Sequence, residues 1–430
     1  MNIQKLLYQN IFWRGLFFVT SFLLNVFIAR HFDAAITGWI YYLFTIFSFY
    51  TLIGSFSLEA GLIYFGSKKE ISLEKLTGFS MLWALSIALL VVISYFVLIL
   101  LGTDIPMIKF QYALLFICGN ILLTFITSLF YAQQNYVTSN VVGISINLLL
   151  IILLLNVNAS SWLNNHVFIF IYFGSFLIAG TLLLFLLFKK LTISDFGWFN
   201  MLQLKKLFKY STIVFLSNVV FFLLYKIDYW FVNRYCNPDE LGNYIQISKV
   251  AQMFFILPAI LAGALFPLIA GNHIGKIENT LKVISRTIFF LYLLGCGVLI
   301  IVGKWLFPFV FGESFSGMYQ PFLFLIPGIL ALSTLYTLTA YFSGKNKVSV
   351  NLMGSFLALI VIVAGDALLI PKYGIIAAAS VSSLGYITYH IFVLYTFNRI
   401  HRSGVVDFFY FRLSDLKKLK ESVFENTKRI

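Results

Sequence analysis

Charged side chains set inside long apolar runs are where this sequence offers chemistry. An ionisable group at the centre of a hydrocarbon layer costs about 2.5–3.5 kcal/mol to insert, so each calls for a reason. Arg14 opens a polar stripe, because Ser21 and Asn25 follow seven and eleven residues later on the same helical face. A guanidinium there suits a two-point grip on a phosphate; it equally suits a side chain reaching out to the membrane interface. Glu59 shares a face with Thr45, Ser48 and Ser55. A carboxylate in such a lining can carry a coupling proton or cation, and an interfacial pairing with Arg14 is the alternative.

Lys226 and Asp228 stand two residues apart. They point about 200° from each other around a helix and form no intrahelical pair. Asn218 and Tyr225 flank the Asp228 side, while Gln246 and Gly242 share the face of Lys249. Two readings stay open: a Lys249–Asp228 bridge between neighbouring helices, or a cationic cleft that receives phosphate. Arg14, Asn25, Asn218, Lys226 and Lys249 are therefore the candidate binders of phosphate or sugar. Glu59 and Asp228 are the candidates for ion coupling. Lys304 and Asp366 fall near the ends of their runs, where solvation would account for them. His390, with Ser383 and Tyr386 on its face, reads as a satisfied core histidine.

Enzyme chemistry finds little footing. The sequence has no phosphate loop of the form G-x-x-x-x-G-K-[ST] and no H-E-x-x-H. Gly312-Glu-Ser314-Phe-Ser316 lacks the second glycine of a nucleophile elbow. Five scattered histidines and three distant cysteines (Cys118, Cys236 and Cys296) form no metal spacing. No catalytic residue, metal or cofactor is expected.

The elements that must position these groups follow from composition. Sixty per cent of the residues are hydrophobic and 11% charged. A water-soluble domain has roughly 45–50% apolar and about 25% charged residues. Lipid offers no partner to a bare N–H or C=O, so only helices or a closed barrel can cross it. The apolar runs are continuous and near the ~20 residues a spanning helix needs, without the alternation of barrel strands. The expected fold is an all-α integral membrane bundle of twelve spans. They cover 10–29, 39–64, 79–101, 110–132, 141–155 (starting as early as Tyr136), 167–188, 210–232, 244–270, 288–311, 321–342, 348–370 and 375–397. Pro258 and Pro267 predict a kink in the eighth. The first run ends at Arg30 without a small-residue cleavage site, so it reads as a span and not a cleaved leader.

Lys and Arg set the direction. With the N-terminus inside, 22 fall in inner segments and four in outer connections, the remaining four lying in or at the edges of spans. The net charge of +14 is then a topology signal, with attraction to anionic lipid and no call for nucleic acid. Both termini are expected in the cytoplasm. The tail at 398–430 is basic, and 413–424 has the spacing of a short amphipathic helix; a disordered basic tail is the alternative.

Phe27, Arg30, Asp33 and Gly38 recur as Phe231, Arg234, Asn237 and Gly242, at one offset of 204 residues. Six spans separate the copies, which points to a parallel duplication. The expected lobes are 1–200, with a cytoplasmic linker at 189–209, and 201–397, around a central cleft.

Several stretches resemble Wzx-type polysaccharide flippases, the oligosaccharide transporters of the multidrug/oligosaccharidyl-lipid/polysaccharide exporter superfamily. They are Ala29-Arg30-His-Phe with Gly38; Lys226-Ile-Asp228 followed by Asp239-Glu-Leu-Gly242-Asn-Tyr244; Leu265-Phe-Pro267-Leu; Leu306-Phe-Pro-Phe-Val-Phe-Gly312; and Leu369-Ile-Pro371-Lys-Tyr-Gly374-Ile-Ile-Ala-Ala. The resemblance spans nearly the whole chain, though that family often has Gly where Ala377 stands and Asn near Asp366. It implies flipping of an undecaprenyl-pyrophosphate-linked oligosaccharide across the bacterial cytoplasmic (inner) membrane. Such a step serves O-antigen (lipopolysaccharide), capsule or exopolysaccharide synthesis. It also implies coupling to an ion gradient, no cofactor, and glycan polymerase or chain-length proteins as possible partners. A multidrug or organic-cation antiporter of the same superfamily is the alternative. A membrane glycan polymerase or ligase is disfavoured by the short outer connections, and a structural scaffold by the duplication.

Overall fold

The computed structural model describes residues 3–103, 106–156, 165–191, 199–270, 277–401, 404–412 and 414–415. Among them the chain is helical, with no strand. The first seven helices are α1 (Ile3–His31), α2 (Ala34–Ser55), α3 (Leu58–Ser67), α4 (Leu73–Leu100), α5 (Met107–Ala132), α6 (Tyr136–Leu155) and α7 (Asn165–Phe188). They are followed by α8 (Met201–Tyr235), α9 (Pro238–Met253), α10 (Ile256–Ala270), α11 (Ile277–Phe311), α12 (Tyr319–Gly344) and α13 (Val348–His401). Among the described residues eleven spans are long and apolar enough to cross a membrane, α9 and the start of α10 counting as one. The 54 residues of α13 would reach ~80 Å, far more than one crossing of ~30 Å. Gly374, at φ 59° and ψ −144°, divides it. This is a multi-pass membrane fold, as the apolar runs predict.

The repeated motif is the corner between two spans. Arg30 and Arg234 stand in the last turns of α1 and α8, where a cation faces the negative helix end. Asp33 caps α2, its Oδ1 accepting from the Ile36 N–H at 2.7 Å. Asn237, 204 residues later, caps α9 through a reciprocal capping box with Glu240. Gly38 and Gly242 meet each other: a Cβ on Gly38 would come within 2.5 Å of the Gly242 Cα, and one on Gly242 would strike the Ala34 carbonyl. Three of the four matching residues thus stand at the end of one helix, start the next and let two backbones touch.

Two expected spans are broken. Residues 39–64 were expected to be one helix; instead Phe56 and Ser57 adopt φ of 49° and 50° and separate α2 from α3. In 244–270 the predicted kink lies at Phe254–Phe255, between α9 and α10. Pro258 has no N–H, and its ring crowds the carbonyl four residues back, at Phe254.

The chain divides into two compact units. One is Met1–His31 with Leu43–Val219; the other is Phe32–Tyr42 with Val220–Ile430. In the first, α5 packs on α7 and α1 on α6. Its centre is aromatic: Phe44 meets Phe116 at 4.9 Å between centroids and Phe47 meets Phe173 at 5.5 Å. In the second, α12 packs on α13 and on α10.

Candidate functional site

In the second unit the polar groups gather around Asp228, which α8 holds in the interior at 3% exposure. The Tyr244 hydroxyl of α9 donates to Asp228 Oδ2 at 2.5 Å, and the Ser382 hydroxyl of α13 donates to the same oxygen at 3.2 Å. The Tyr229 N–H donates to Oδ1 at 2.9 Å. Three helices therefore converge on one carboxylate. Beside it lies a cavity of about 10 Å³, lined by Tyr225, Tyr244, Ser248, Gln252, Ser382 and Tyr386, among others. That is about the room one water occupies, and the wall has the polar partners it would need.

Asp366 is the side chain that the sequence reading misplaced. It was expected in solvent near a span end, and it is fully buried, with neither carboxyl oxygen hydrogen-bonded. It lies within electrostatic reach of Asp228. Its helical face explains the difference: Asn351, Ser355, Ala358, Ile362, Asp366 and Ile370 form the buried stripe of this part of α13. Gln246 is also fully buried, and both its amide atoms lack a hydrogen-bond partner. Unpaired polar groups of this kind are rare in apolar interiors and mark function or a bound species.

Lys226 lies within electrostatic reach of Asp228. Lys226 Nζ donates to Gln252 Oε1 at 3.1 Å and to the Tyr229 hydroxyl at 3.2 Å. Lys249 Nζ sits over the Tyr41 ring, 2.7 Å from its centroid. Asp228 is held by hydroxyls and an N–H, and Lys249 by an aromatic face. His390 is buried against the Thr334 hydroxyl at 2.9 Å, as a satisfied core histidine should be.

The other candidates belong to the first unit. Arg14 is exposed, its guanidinium 5.2 Å from the Tyr131 ring centroid. Ser21 of its stripe accepts from the Asn147 amide at 2.9 Å, and Asn25 is buried. Asn218 donates to the Ser57 hydroxyl at 3.0 Å, so it serves the break between α2 and α3. Glu59, two residues past Ser57, keeps Oε2 buried without a hydrogen-bond partner. Among the described residues no three His, Cys, Asp or Glu side chains gather as a metal site.

Tyr244, Ser382, Gln252 and Tyr41 escaped the sequence reading, since neutral polar residues in spans carry no individual signal. The three- and four-residue spacing of the stripe from Asn351 through Ile362 and Asp366 to Ile370 was a signal that periodicity alone could have supplied.

No protein-family profile matches the chain, and no curated protein matches it in sequence. Solved structures share its fold. The lipid II flippase MurJ, in an inward closed conformation, superposes with a TM-score of 0.73 at 14% identity, over 93% of this chain and 89% of that one. A multidrug resistance MATE family transporter of the MOP superfamily, inward-facing, gives 0.69 at 13% identity, over 90% and 94%. A mutant of the Vibrio cholerae MATE transporter VcmN gives 0.63 at 16% identity, over 94% and 98%.

Proposed function

We propose that the chain is a transporter that flips an undecaprenyl-pyrophosphate-linked oligosaccharide across the bacterial cytoplasmic membrane, driven by a proton or sodium gradient. The carrying observation is the polar interior of the second unit, where Lys226 and Lys249 accompany two buried carboxyls, Asp228 and Asp366. A pyrophosphate crossing hydrocarbon needs cations on its way, and the two lysines supply them; Arg14, Asn25 and Asn218 are further proposed binders of phosphate or sugar. Buried carboxyls are costly to charge alone. Asp228 and Asp366 therefore take up the coupling proton or cation, with Glu59 as a second coupling group. The lipid tail stays in the bilayer, and no chemistry is done on the glycan. The fold shared with a lipid II flippase supports this reading. The fold shared with multidrug transporters favours a second one, export of an organic cation. A cleft for an organic cation should be net acidic, whereas basic groups at least match acidic ones in these spans.

Deleting the gene should make lipid-linked repeat units accumulate and remove surface glycan, with glycan polymerase or chain-length proteins acting downstream. Restoring it with wild type or Lys249→Arg should rescue much of the glycan, because a guanidinium also keeps its charge over an aromatic ring. Lys249→Ala should not rescue at equal membrane levels. Normal surface glycan in the deletion strain, with no other flippase present, would sink the proposal; drug sensitivity without glycan loss would favour the antiporter.

The charge split supports cytoplasmic termini. In a chain without native cysteines, Ser160→Cys should react with an impermeant thiol reagent in intact cells and Ser403→Cys should not; the reverse pattern overturns the direction.

A further inference from the structure

At the start of α11 the segment at 404–412 folds back on the helix. Phe411 stacks on Phe290 with centroids 4.4 Å apart and planes 2° from parallel, Phe409 meets Phe289 at 5.1 Å, and Phe408 is fully buried. A cavity of about 390 Å³ remains here, lined chiefly by Asn279, Thr280, Lys282, Arg286, Asp407 and Arg412. Three of these are cations and one is a carboxylate.

Their partners are unequal. Lys282 Nζ is paired twice, with Glu278 at 2.7 Å and with Asp407 at 3.1 Å. Glu278 also has His401 Nδ1 at 3.7 Å. Arg286 is only 6% exposed and pairs with Asp415 through one terminal nitrogen, yet its Nε has no hydrogen-bond partner. The Arg412 N–H donates to the other Asp415 oxygen at 2.9 Å. The Arg412 guanidinium makes no ion pair among the described residues and lies 6.0 Å from the Tyr410 ring centroid. Two guanidinium groups therefore border the space with donors to spare. The apolar run of α11 begins at Ile288, two residues after Arg286, which sets the cavity at the level of lipid headgroups. Its volume suits a headgroup-sized ligand and not a long glycan.

We propose that this cavity is a phosphate-binding site at the membrane surface, filled by the headgroup phosphate of an anionic lipid or by soluble phosphate. It is separate from the polar interior around Asp228 and independent of what the protein transports. A phosphate would give Arg286 Nε and the Arg412 guanidinium their missing acceptors.

The test titrates the purified full chain in detergent with phosphatidylglycerol or phosphatidylcholine of equal chain length, read by native mass spectrometry. Thermal unfolding with inorganic phosphate forms the second arm. Wild type should retain phosphatidylglycerol at several-fold lower concentration than phosphatidylcholine. Arg412→Gln should weaken that preference about fivefold, the weight of one basic residue at a membrane surface. Asp407→Asn should strengthen it. Because Arg286→Gln alone would strand a buried Asp415, it is made together with Asp415→Asn, and the pair should abolish the preference. Stabilisation by inorganic phosphate that these variants lose, without a lipid preference, assigns the site to free phosphate. Equal retention of both lipids, no response to phosphate and no effect of the variants would overturn the proposal.

Discussion

The second span of each repeat is interrupted, and the two interruptions differ in place and cause. From Ala34, α2 runs 22 residues, ~33 Å, before it breaks; from Pro238, α9 runs 16 residues, ~24 Å. The short helices that follow, of 10 and 15 residues, nearly restore the total length. Between α9 and α10, Pro258 of α10 sets the position through the carbonyl four residues before it. Near Phe56 there is no proline. Two non-glycine residues instead sit in the left-handed region, each at a cost of ~1–2 kcal/mol. The freed carbonyls are served in the same way. Trp83 Nε1 of α4 donates to the Gly54 carbonyl at 2.8 Å, and the Tyr292 hydroxyl of α11 donates to the Phe254 carbonyl. An irregular backbone persists in a membrane protein only where such groups are satisfied. An aromatic donor from the next span does this in both repeats, whatever caused the break.

Removing those donors should have the largest effect. Tyr292→Phe keeps the ring and Trp83→Phe exchanges the indole for a smaller aromatic ring; each strands a carbonyl, at about 1–3 kcal/mol. Each should lower the thermal unfolding midpoint in detergent and shorten the time that activity survives. If one variant costs nothing while the other costs the full amount, water serves the first break and the common device fails.

Changing the cause should separate the two breaks. Pro258→Ala returns an N–H that can reach the Phe254 carbonyl, so Tyr292→Phe should cost about 1 kcal/mol less in that background than in wild type. Trp83→Phe should cost the same in either background. Coupling of Pro258→Ala to Trp83→Phe, measured by the same unfolding cycle, would show that the breaks are not independent.

Much of this was legible beforehand because it depends on composition and on residues with fixed backbone demands. Long apolar runs locate the spans, Pro258 locates a break and Gly374 divides α13. The offset of 204 finds the two corners, since capping residues and close-packed glycines have few substitutes. The break at Phe56 was not legible: neither residue prefers φ near 50°, and what holds them there comes from distant Trp83, Asn218 and Phe215. The Phe56 and Phe215 rings stack at 4.5 Å. Asp228 could be singled out as a charge in a span, but its partners Tyr244 and Ser382 lie 16 and 154 residues away. Asp366 was misplaced because its depth was judged from the span end and not from the face it shares with Ile362 and Ile370. Of the amphipathic segment expected at 413–424, only Ser414 and Asp415 fall among the described residues.

The smallest effect should come from Ser57, where two terms oppose each other. Its φ of 50° costs an L-residue ~1–2 kcal/mol that glycine does not pay, whereas its hydroxyl accepts the Asn218 amide, worth about 0.5–1.5 kcal/mol. Ser57→Gly in the wild type removes both and should leave the unfolding midpoint almost unchanged. In an Asn218→Ala background the hydrogen bond is already gone, so the same change should stabilise by about 1 kcal/mol. The second repeat has no such position, since neither Phe254 nor Phe255 has positive φ. Phe255→Gly there should only destabilise, through lost packing and lost backbone restraint. If Ser57→Gly is equally harmful in both Asn218 backgrounds, the left-handed strain is not what distinguishes the first break, and packing of Phe56 on Phe215 holds it alone.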